Sequence, residues 1–508
     1  MKLMQKKLYR WQSECLNKWN ENNHQGIVNV VTGAGKTTLA LSAIKEVFDD
    51  NIKIKIVVPT INLLFQWKKE ILNYFGEEYE SQINLYYGGT KNKKDTLFSI
   101  YVINSARHAV ARSIIDDMNL GFNVMFVADE AHHYTSKENH KIFHYLLSKD
   151  FKKDKFFSLG LSATIDADDL NNILIPSLGK VIYLLDHNEA LNDHIISPFV
   201  IYETSINFMP NEKDEYISIT YNIDLLYKKL ILKYDYLKYI NNTKEYMKLL
   251  HSLSKEDEDV DIYLKLLLKR KKISSTSKTR IMCGVEIIKQ LYDKKIIVFA
   301  ERISQIKEFE KVLRNEGVKS VSCYHSNQSQ EYRKQILQDY KNGNINVLLT
   351  CRALDEGVDV PDAEIAILLS SSSVPRQRIQ RLGRVLRKNN NKQMASLFYL
   401  YVRDANDEVL FLEDLSPAKN IVMRIRFFNN DKNFTNQQYE DHVYKYYKKL
   451  RKDTKDLELL KEYIRCLEKG TIRTDWLLSK KELEIKIKDS ITTSEKNYYI
   501  VMKKICLG

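Results

Sequence analysis

The sequence predicts an α/β protein with two tandem parallel-sheet domains, a helical insertion between them and a mostly helical C-terminal domain. Three observations carry this expectation. Short β-branched runs alternate with longer helical stretches from Gly26 to about Pro198, and the same alternation restarts near Lys294. Between the two series, apolar residues recur at helical spacing without strand-like alternation. Strands separated by helices pair in parallel, because a parallel connection needs a crossover long enough to hold a helix. The 508 residues allow about three globular units at roughly 100 to 200 residues each. With 44% hydrophobic and 29% charged residues, and only 16 Gly and 7 Pro, the chain is neither fibrous nor wholly disordered.

In chain order, the first domain (residues 1–205) reads GIVNVV and a helix after Lys36, IKIVVP and LLFQWKKEI, then YVIN, NVMFVADE and FFSLGLSAT. The insertion (206–288) carries YNIDLLYKKLILKYDYLKYI and DIYLKLLLKRKKI, apolar stripes among Lys, Tyr and Glu. The second domain (289–404) runs KIIVFA, a helix through FEKVLRNEG, VKSVSCYH, a helix through EYRKQILQDYKNG, NVLLT and AEIAILLS. The remainder (405–508) reads as helical through HVYKYYKKLRKDTKDLELLKEYIRCLEKG, with Gly470 as a helix stop.

Composition narrows the function classes. Lys plus Arg at 79 against Asp plus Glu at 66 gives a net charge of +13, a field that attracts polyanions, nucleic acid first. The same balance also serves solubility, so charge alone does not choose. The six cysteines are scattered, with no C-x-x-C pair and no zinc spacing, which argues against a disulfide scaffold or an iron–sulfur site. The start turns polar within a few residues and no run approaches about 18 uncharged apolar residues. A cytoplasmic protein without membrane contact is expected.

Three motifs carry chemistry. Thr32-Gly33-Ala34-Gly35-Lys36-Thr37-Thr38 sits between a strand and a helix. There glycines let the backbone wrap a phosphate, the helix N-terminus presents N–H donors, Lys36 reaches the β and γ phosphates of ATP, and Thr37 can ligate Mg2+. Asp129-Glu130-Ala131-His132 ends an apolar strand. Asp129 is positioned to hold the metal and Glu130 to activate the attacking water. Gln380-Arg381-Leu382-Gly383-Arg384-Val385-Leu386-Arg387 places Arg384 and Arg387 three apart on one helical face, suited to charge developing on a transferred phosphoryl group.

In this order the three motifs resemble those of a superfamily 2 helicase, and the resemblance covers about Leu8 to Val402. It implies two RecA-like domains with ATP and Mg2+ in the cleft between them and a nucleic-acid strand running across both. Leu8-Tyr9-Arg10-Trp11-Gln12 is similar to the adenine-reading segment, with Gln12 as the base contact and Arg10 beside it. Pro59-Thr60, with Leu64, Gln66 and Trp67, is similar to the element that grips a strand, and Ser162-Ala163-Thr164 to the element coupling hydrolysis to movement, with His132 and Arg381 as coupling partners. Gly357 and Asp359 in DEGVDVPDA imply an approach to ATP, while His325 and Thr350 imply strand contacts.

Within the superfamily, VVPT, DEGVDVPDA and QRLGRVLR most resemble the XPB-type and restriction-translocase branch, whose members act on duplex or branched DNA. Asp129 to His132 reads DEAH, and Gln380 replaces the His usual in the RNA group. Ile165 stands where Pro usually follows the SAT element, and the branch's Arg-Glu-Asp element appears only as Asp166-Ala167-Asp168, which leaves translocation expected and strand separation open. The insertion resembles that branch's thumb-like segment. Its cationic run of Lys265, Lys269, Arg270, Lys271 and Lys272 suits phosphate contacts or, equally, a solvated helix face.

The C-terminal region resembles no family. Asp475 with Glu484-Ile485-Lys486 has the loose order of a metal nuclease, but LSKKELEIKIKDS reads as a helix, so an accessory DNA-contact or partner-docking role is expected, a nuclease being one such partner. The combined reading is an ATP-dependent DNA helicase or translocase of DNA repair, restriction or antiviral defence. A nucleic-acid-gated ATPase scaffold in a multiprotein defence complex and an RNA helicase are the alternatives.

Overall fold

Strand β1 (Gln25–Val30) is laid down between helices α1 (Arg10–Glu21) and α2 (Lys36–Glu46), and the alternation continues as the sequence predicts. It proceeds through β2 (Ile52–Val58), α3 (Ile61–Phe75), β3 (Ile83–Tyr86), β4 (Phe98–Val102), α4 (Ile103–Asn119), β5 (Asn123–Asp129), β6 (Phe156–Ser162) and β7 (Val181–Leu185). The structure, a computed structural model, describes residues 8–31, 33–88, 96–162, 169–185, 189–190, 193, 195, 199–240, 243–351, 363–370, 395–403, 405, 421–428, 430, 432–437, 469–470, 472, 475, 478 and 480–507. Two compact units form, dividing between Pro198 and Phe199.

The first sheet has the order β3-β4-β2-β5-β6-β1-β7. Every pair is parallel. Helices on both faces require strands that are apolar on both faces, and β2 is buried at all seven positions. Two of those positions are lysines. Lys55 Nζ pairs with Asp117 at 2.5 Å, and Lys53 Nζ lies 4.5 Å from the centre of the Phe122 ring. Parallel strands bring all their C-terminal ends to one edge, where the residues following β1, β2, β5 and β6 collect.

The second unit contains β8 (Phe199–Ile206), α5 (Pro210–Lys233), α6 (Thr243–Leu253), α7 (Glu258–Ser275), α8 (Lys278–Gln290), β9 (Ile296–Ala300) and α9 (Ile303–Asn315). It continues with β10 (Val321–Tyr324), α10 (Gln330–Asn342), β11 (Val347–Cys351), β12 (Ile365–Leu368), β13 (Ala395–Val402), β14 (Ile421–Phe428), β15 (Asn433–Gln437), β16 (Lys469–Gly470), α11 (Lys480–Asp489) and α12 (Thr493–Leu507). Its sheet order is β10-β11-β9-β12-β13-β8-β14-β15-β16. The strands from β10 to β14 are parallel, and β15 and β16 are added antiparallel. Both units are thus RecA-like α/β domains.

The structure corrects three boundaries. Residues 199–205, expected in the first domain, form β8, which pairs with β13 and β14 in the second sheet. The run is apolar enough to sit between two strands, and its partners lie about two hundred residues downstream, where local pattern cannot point. Helix α8, expected to close the insertion, contributes Cys283, Val285, Ile287 and Ile288 to the core under the second sheet. Gly470, expected as a helix stop, pairs with Phe434 in β16.

The remaining insertion helices form a core of their own from Ile219, Ile223, Leu230, Leu237, Leu250, Val260, Tyr263 and Leu264. Asp257 caps α7, accepting from Asp259 N at 2.9 Å, from Lys233 Nζ at 2.6 Å and from Tyr234 Oη at 2.8 Å. These donors, Lys233 first, pull the Asp257 pKa down to about 2. Among the described residues no helix is long and apolar enough to cross a membrane.

Candidate functional site

The loop after β1 needs backbone that only glycine adopts freely. Gly33 and Gly35 have φ of +84° and +91°, in the left-handed region. A Cβ built on Gly35 would lie 2.9 Å from Gln12 Nε2. Gln12 uses both ends of its carboxamide: Nε2 donates to Gly35 O at 2.9 Å, and Oε1 accepts from Tyr9 N at 2.8 Å, closing the first turn of α1. Trp19 holds that helix in place by donating from Nε1 to Ser158 O at 2.9 Å. Gln12 is therefore fixed against the phosphate loop, while Arg10 is exposed and pairs with Glu14 at 2.7 Å.

Helix α2 starts at Lys36, so its unpaired N–H groups face the loop. Ala34 is buried, and Thr37 and Thr38 are half-buried in the first turn. Lys36 Nζ donates to Val30 O at 3.3 Å and lies 3.9 Å from Glu130 Oε1. The cation is thereby held over the loop, with a carboxylate as its counter-charge.

Asp129 ends β5 and is 6% exposed. Its Oδ2 accepts from Trp67 Nε1 at 2.8 Å and its Oδ1 from Glu130 N at 3.0 Å. Burial, then the neighbouring Glu130 charge, raises its proton affinity, against which Trp67 and Lys36 act. Glu130 adopts φ +50°, uncommon for a residue with a side chain, and turns the chain sharply at the strand end. Tyr134 Oη braces this turn, 2.7 Å from Val57 O and 2.5 Å from Asp129 O. His132 Nδ1 lies 2.9 Å from Ser162 Oγ and 3.5 Å from Glu130 Oε2. The histidine thus bridges the ends of β5 and β6.

The donor set fits Mg2+. Asp129 and Thr37 offer the hard oxygens that Mg2+ takes. A site with one or two protein oxygens, completed by water and phosphate, is the arrangement Mg2+ favours.

The residues expected to contact nucleic acid divide between the units. In the first, Pro59 and Thr60 follow β2, Thr60 Oγ1 caps α3 by accepting from Leu63 N at 3.3 Å, and Gln66 is half-buried on that helix. In the second, Lys269 pairs with Glu215 at 2.9 Å and Lys265 with Asp261 at 2.6 Å, while Lys271 and Lys272 are exposed on α7 and Arg270 is half-buried. His325 and Thr350 are buried, 5% and 0% exposed. Thr32, Ala163, Thr164, Gly357, Asp359, Gln380, Arg381, Arg384 and Arg387 lie outside the described residues.

Two family models match the chain: the type III restriction enzyme res subunit over residues 5–167 and the helicase conserved C-terminal domain over residues 277–389. The DNA 3'-5' translocase XPB2 of Sulfurisphaera tokodaii is 30% identical over 387 residues, covering 76% of this chain and 79% of the relative. This chain belongs to the XPB/Res-like branch of the superfamily 2 helicases. It is accordingly an ATP-hydrolysing helicase or translocase of a family that acts on nucleic acid.

Solved superfamily 2 structures share the fold. The Pyrococcus furiosus Hef helicase domain matches with TM-score 0.50 and 16% identity, covering 81% of this chain and 98% of that one. The helicase MrfA bound to DNA and AMPPNP matches with TM-score 0.52 and 16% identity, covering 82% and 52%. S. cerevisiae Dbp5 bound to RNA and ADP BeF3 matches with TM-score 0.50 and 15% identity, covering 82% and 90%.

Within the segment similar to the strand-gripping element, the Trp67 side chain is 1% exposed and bonds to Asp129. Tyr134 was missed altogether. Its role depends on a strand pairing between β2 and β5 that no local signal announces.

Proposed function

We propose that the chain is a DNA translocase or helicase that couples ATP hydrolysis to movement on duplex or branched DNA, in repair, restriction or anti-phage defence. The observation that carries this reading is the convergence of Lys36, Asp129 and Glu130 at one edge of a parallel sheet, with Ser162 and Thr60 at the ends of neighbouring strands. Lys36 and the α2 N-terminus bind the β and γ phosphates. Thr37 and Asp129 would hold Mg2+, whose charge would offset that of the phosphates. Glu130 orients and deprotonates the attacking water, and Gln12 recognises the adenine ring. Gln380, Arg384 and Arg387 stabilise charge on the transferred phosphoryl group, and Gly357 and Asp359 approach the nucleotide. His132, Ser162, Ala163, Thr164 and Arg381 relay the hydrolytic state to the strand-gripping residues. Arg270, Lys271 and Lys272 on α7 contact the phosphate backbone.

The test is the steady-state ATPase rate without nucleic acid and with single-stranded DNA, duplex DNA, forked DNA and RNA, at two salt concentrations, using Glu130→Gln as the blank. Stimulation by duplex or forked DNA over RNA is expected. Stimulation by RNA alone overturns the DNA assignment. No stimulation by any polymer favours an ATPase that waits for a protein partner.

A further inference from the structure

Helix α3 has two faces with different partners. Ile61 and Phe65 are 42% and 38% exposed, and the Phe65 ring meets Tyr87 edge-on at 5.5 Å. Leu64, Trp67 and Ile71 are buried on the opposite face. The helix starts at the Pro59-Thr60 element, with Thr60 as its cap, and Trp67 lies about two turns further on. A buried tryptophan directs its one N–H to whatever acceptor is at hand. Here that acceptor is Asp129 Oδ2, 62 residues away in the chain, at 2.8 Å.

The contact is sensitive to where α3 sits. A helix moves as a stiff body, so a shift of about 1 Å at its first turn carries Trp67 with it and stretches this bond past the range in which it holds. Among the described residues, the other oxygen of Asp129 accepts locally, from the backbone N–H of Glu130. One of the two bonds that orient this carboxylate therefore comes from α3.

We infer that Trp67 is a positioning residue through which the occupancy of the strand-gripping start of α3 sets the orientation of the metal-holding carboxylate of Asp129. Nucleic acid then acts on the ATP site by moving one helix, without touching the nucleotide. The inference rests on the proposed function, in which Pro59 and Thr60 contact the strand and Asp129 holds Mg2+.

The experiment uses the full chain and titrates Mg2+ against binding of a fluorescent ATP analogue, with and without duplex DNA. Because movement of α3 stretches this bond, wild type is expected to need more Mg2+ when DNA is present. Trp67→Phe removes the N–H but keeps an aromatic ring. It should raise the half-saturating Mg2+ concentration about tenfold, the effect of one charge-assisted hydrogen bond, and abolish the shift caused by DNA. Ile71→Val loosens the same face of α3 without touching the bond. It should lower the melting temperature and leave both readouts at wild-type values. Wild-type Mg2+ dependence in Trp67→Phe, a retained DNA shift in that variant, or the same changes in Ile71→Val would each overturn the inference.

A second measurement needs no variant. With 15N-labelled indoles the chain has four tryptophan side-chain signals. The one bonded to a carboxylate should lie furthest downfield and move when duplex DNA is added without nucleotide. A static signal in protein that has bound DNA overturns the inference. If wild type binds no DNA and no polymer stimulates its ATPase, the functional reading fails. If wild type responds to DNA and Trp67→Phe responds identically, only the role of Trp67 fails.

Discussion

Replacing Gly35 with alanine isolates the backbone requirement of the phosphate loop. The residue sits at φ +91°, and an L side chain in the left-handed region costs about 1–2 kcal/mol. The new Cβ would lie 2.9 Å from Gln12 Nε2, the far end of a flexible side chain, so Gln12 can withdraw. Withdrawal breaks its bond to Gly35 O, which contributes about 0.5–1.5 kcal/mol. Together these place the binding-competent loop about 1.5–3.5 kcal/mol above its relaxed state. At about 1.4 kcal/mol per tenfold, nucleotide affinity should fall about 10- to 300-fold. Titration with a fluorescent ATP analogue in excess Mg2+ measures this directly. Gly343→Ala is the control: φ is +84° there too, but no atom lies within 4 Å of the added Cβ. That variant should lose about 1–2 kcal/mol of stability and keep wild-type nucleotide affinity. Gly35→Ala binding ATP within twofold of wild type would refute the reasoning.

Lys36→Ala should abolish both nucleotide binding and turnover, whereas Glu130→Gln should still bind ATP and lose at least about a hundredfold in turnover, as expected for removal of a general base. Equilibrium binding paired with a phosphate-release assay separates the two. Neutralising Arg270, Lys271 and Lys272 should flatten the log–log salt dependence of duplex binding by about 0.9 per lost phosphate contact, and an unchanged slope would return α7 to a solvated face. Asp257, with a folded pKa of about 2 against about 3.9 unfolded, contributes stability that is complete above pH 4 and lost as the pH falls toward 2. Acid titration followed by circular dichroism should show Asp257→Asn destabilised at neutral pH and free of that component of acid sensitivity. A mutant curve parallel to wild type would show the cap to be energetically silent.

Much of the fold was legible because its signals are local. Periodicity marked strands and helices in both units, and the strand-loop-helix context of Lys36 and the strand-end position of Asp129 marked the expected ATP site. The limits of the second sheet were not legible. Strand β8 pairs with β13 and β14, and partners that distant leave no mark on the neighbouring residues. The side-chain links of the site were hidden for the same reason. Pattern placed Trp67 on a helix and Asp129 at a strand end, but not the 2.8 Å between them. Nor did pattern show that Lys265 and Lys269 of the cationic run are already engaged by carboxylates. By itself, then, the sequence determined the class of fold, the order of its parts and the chemistry of the phosphate loop and the DEAH element, since these depend on residue type and on neighbours a few positions away. Tertiary structure alone decided which buried donor meets which carboxylate and where one unit ends, because those outcomes depend on chain segments that meet only after the sheets have formed.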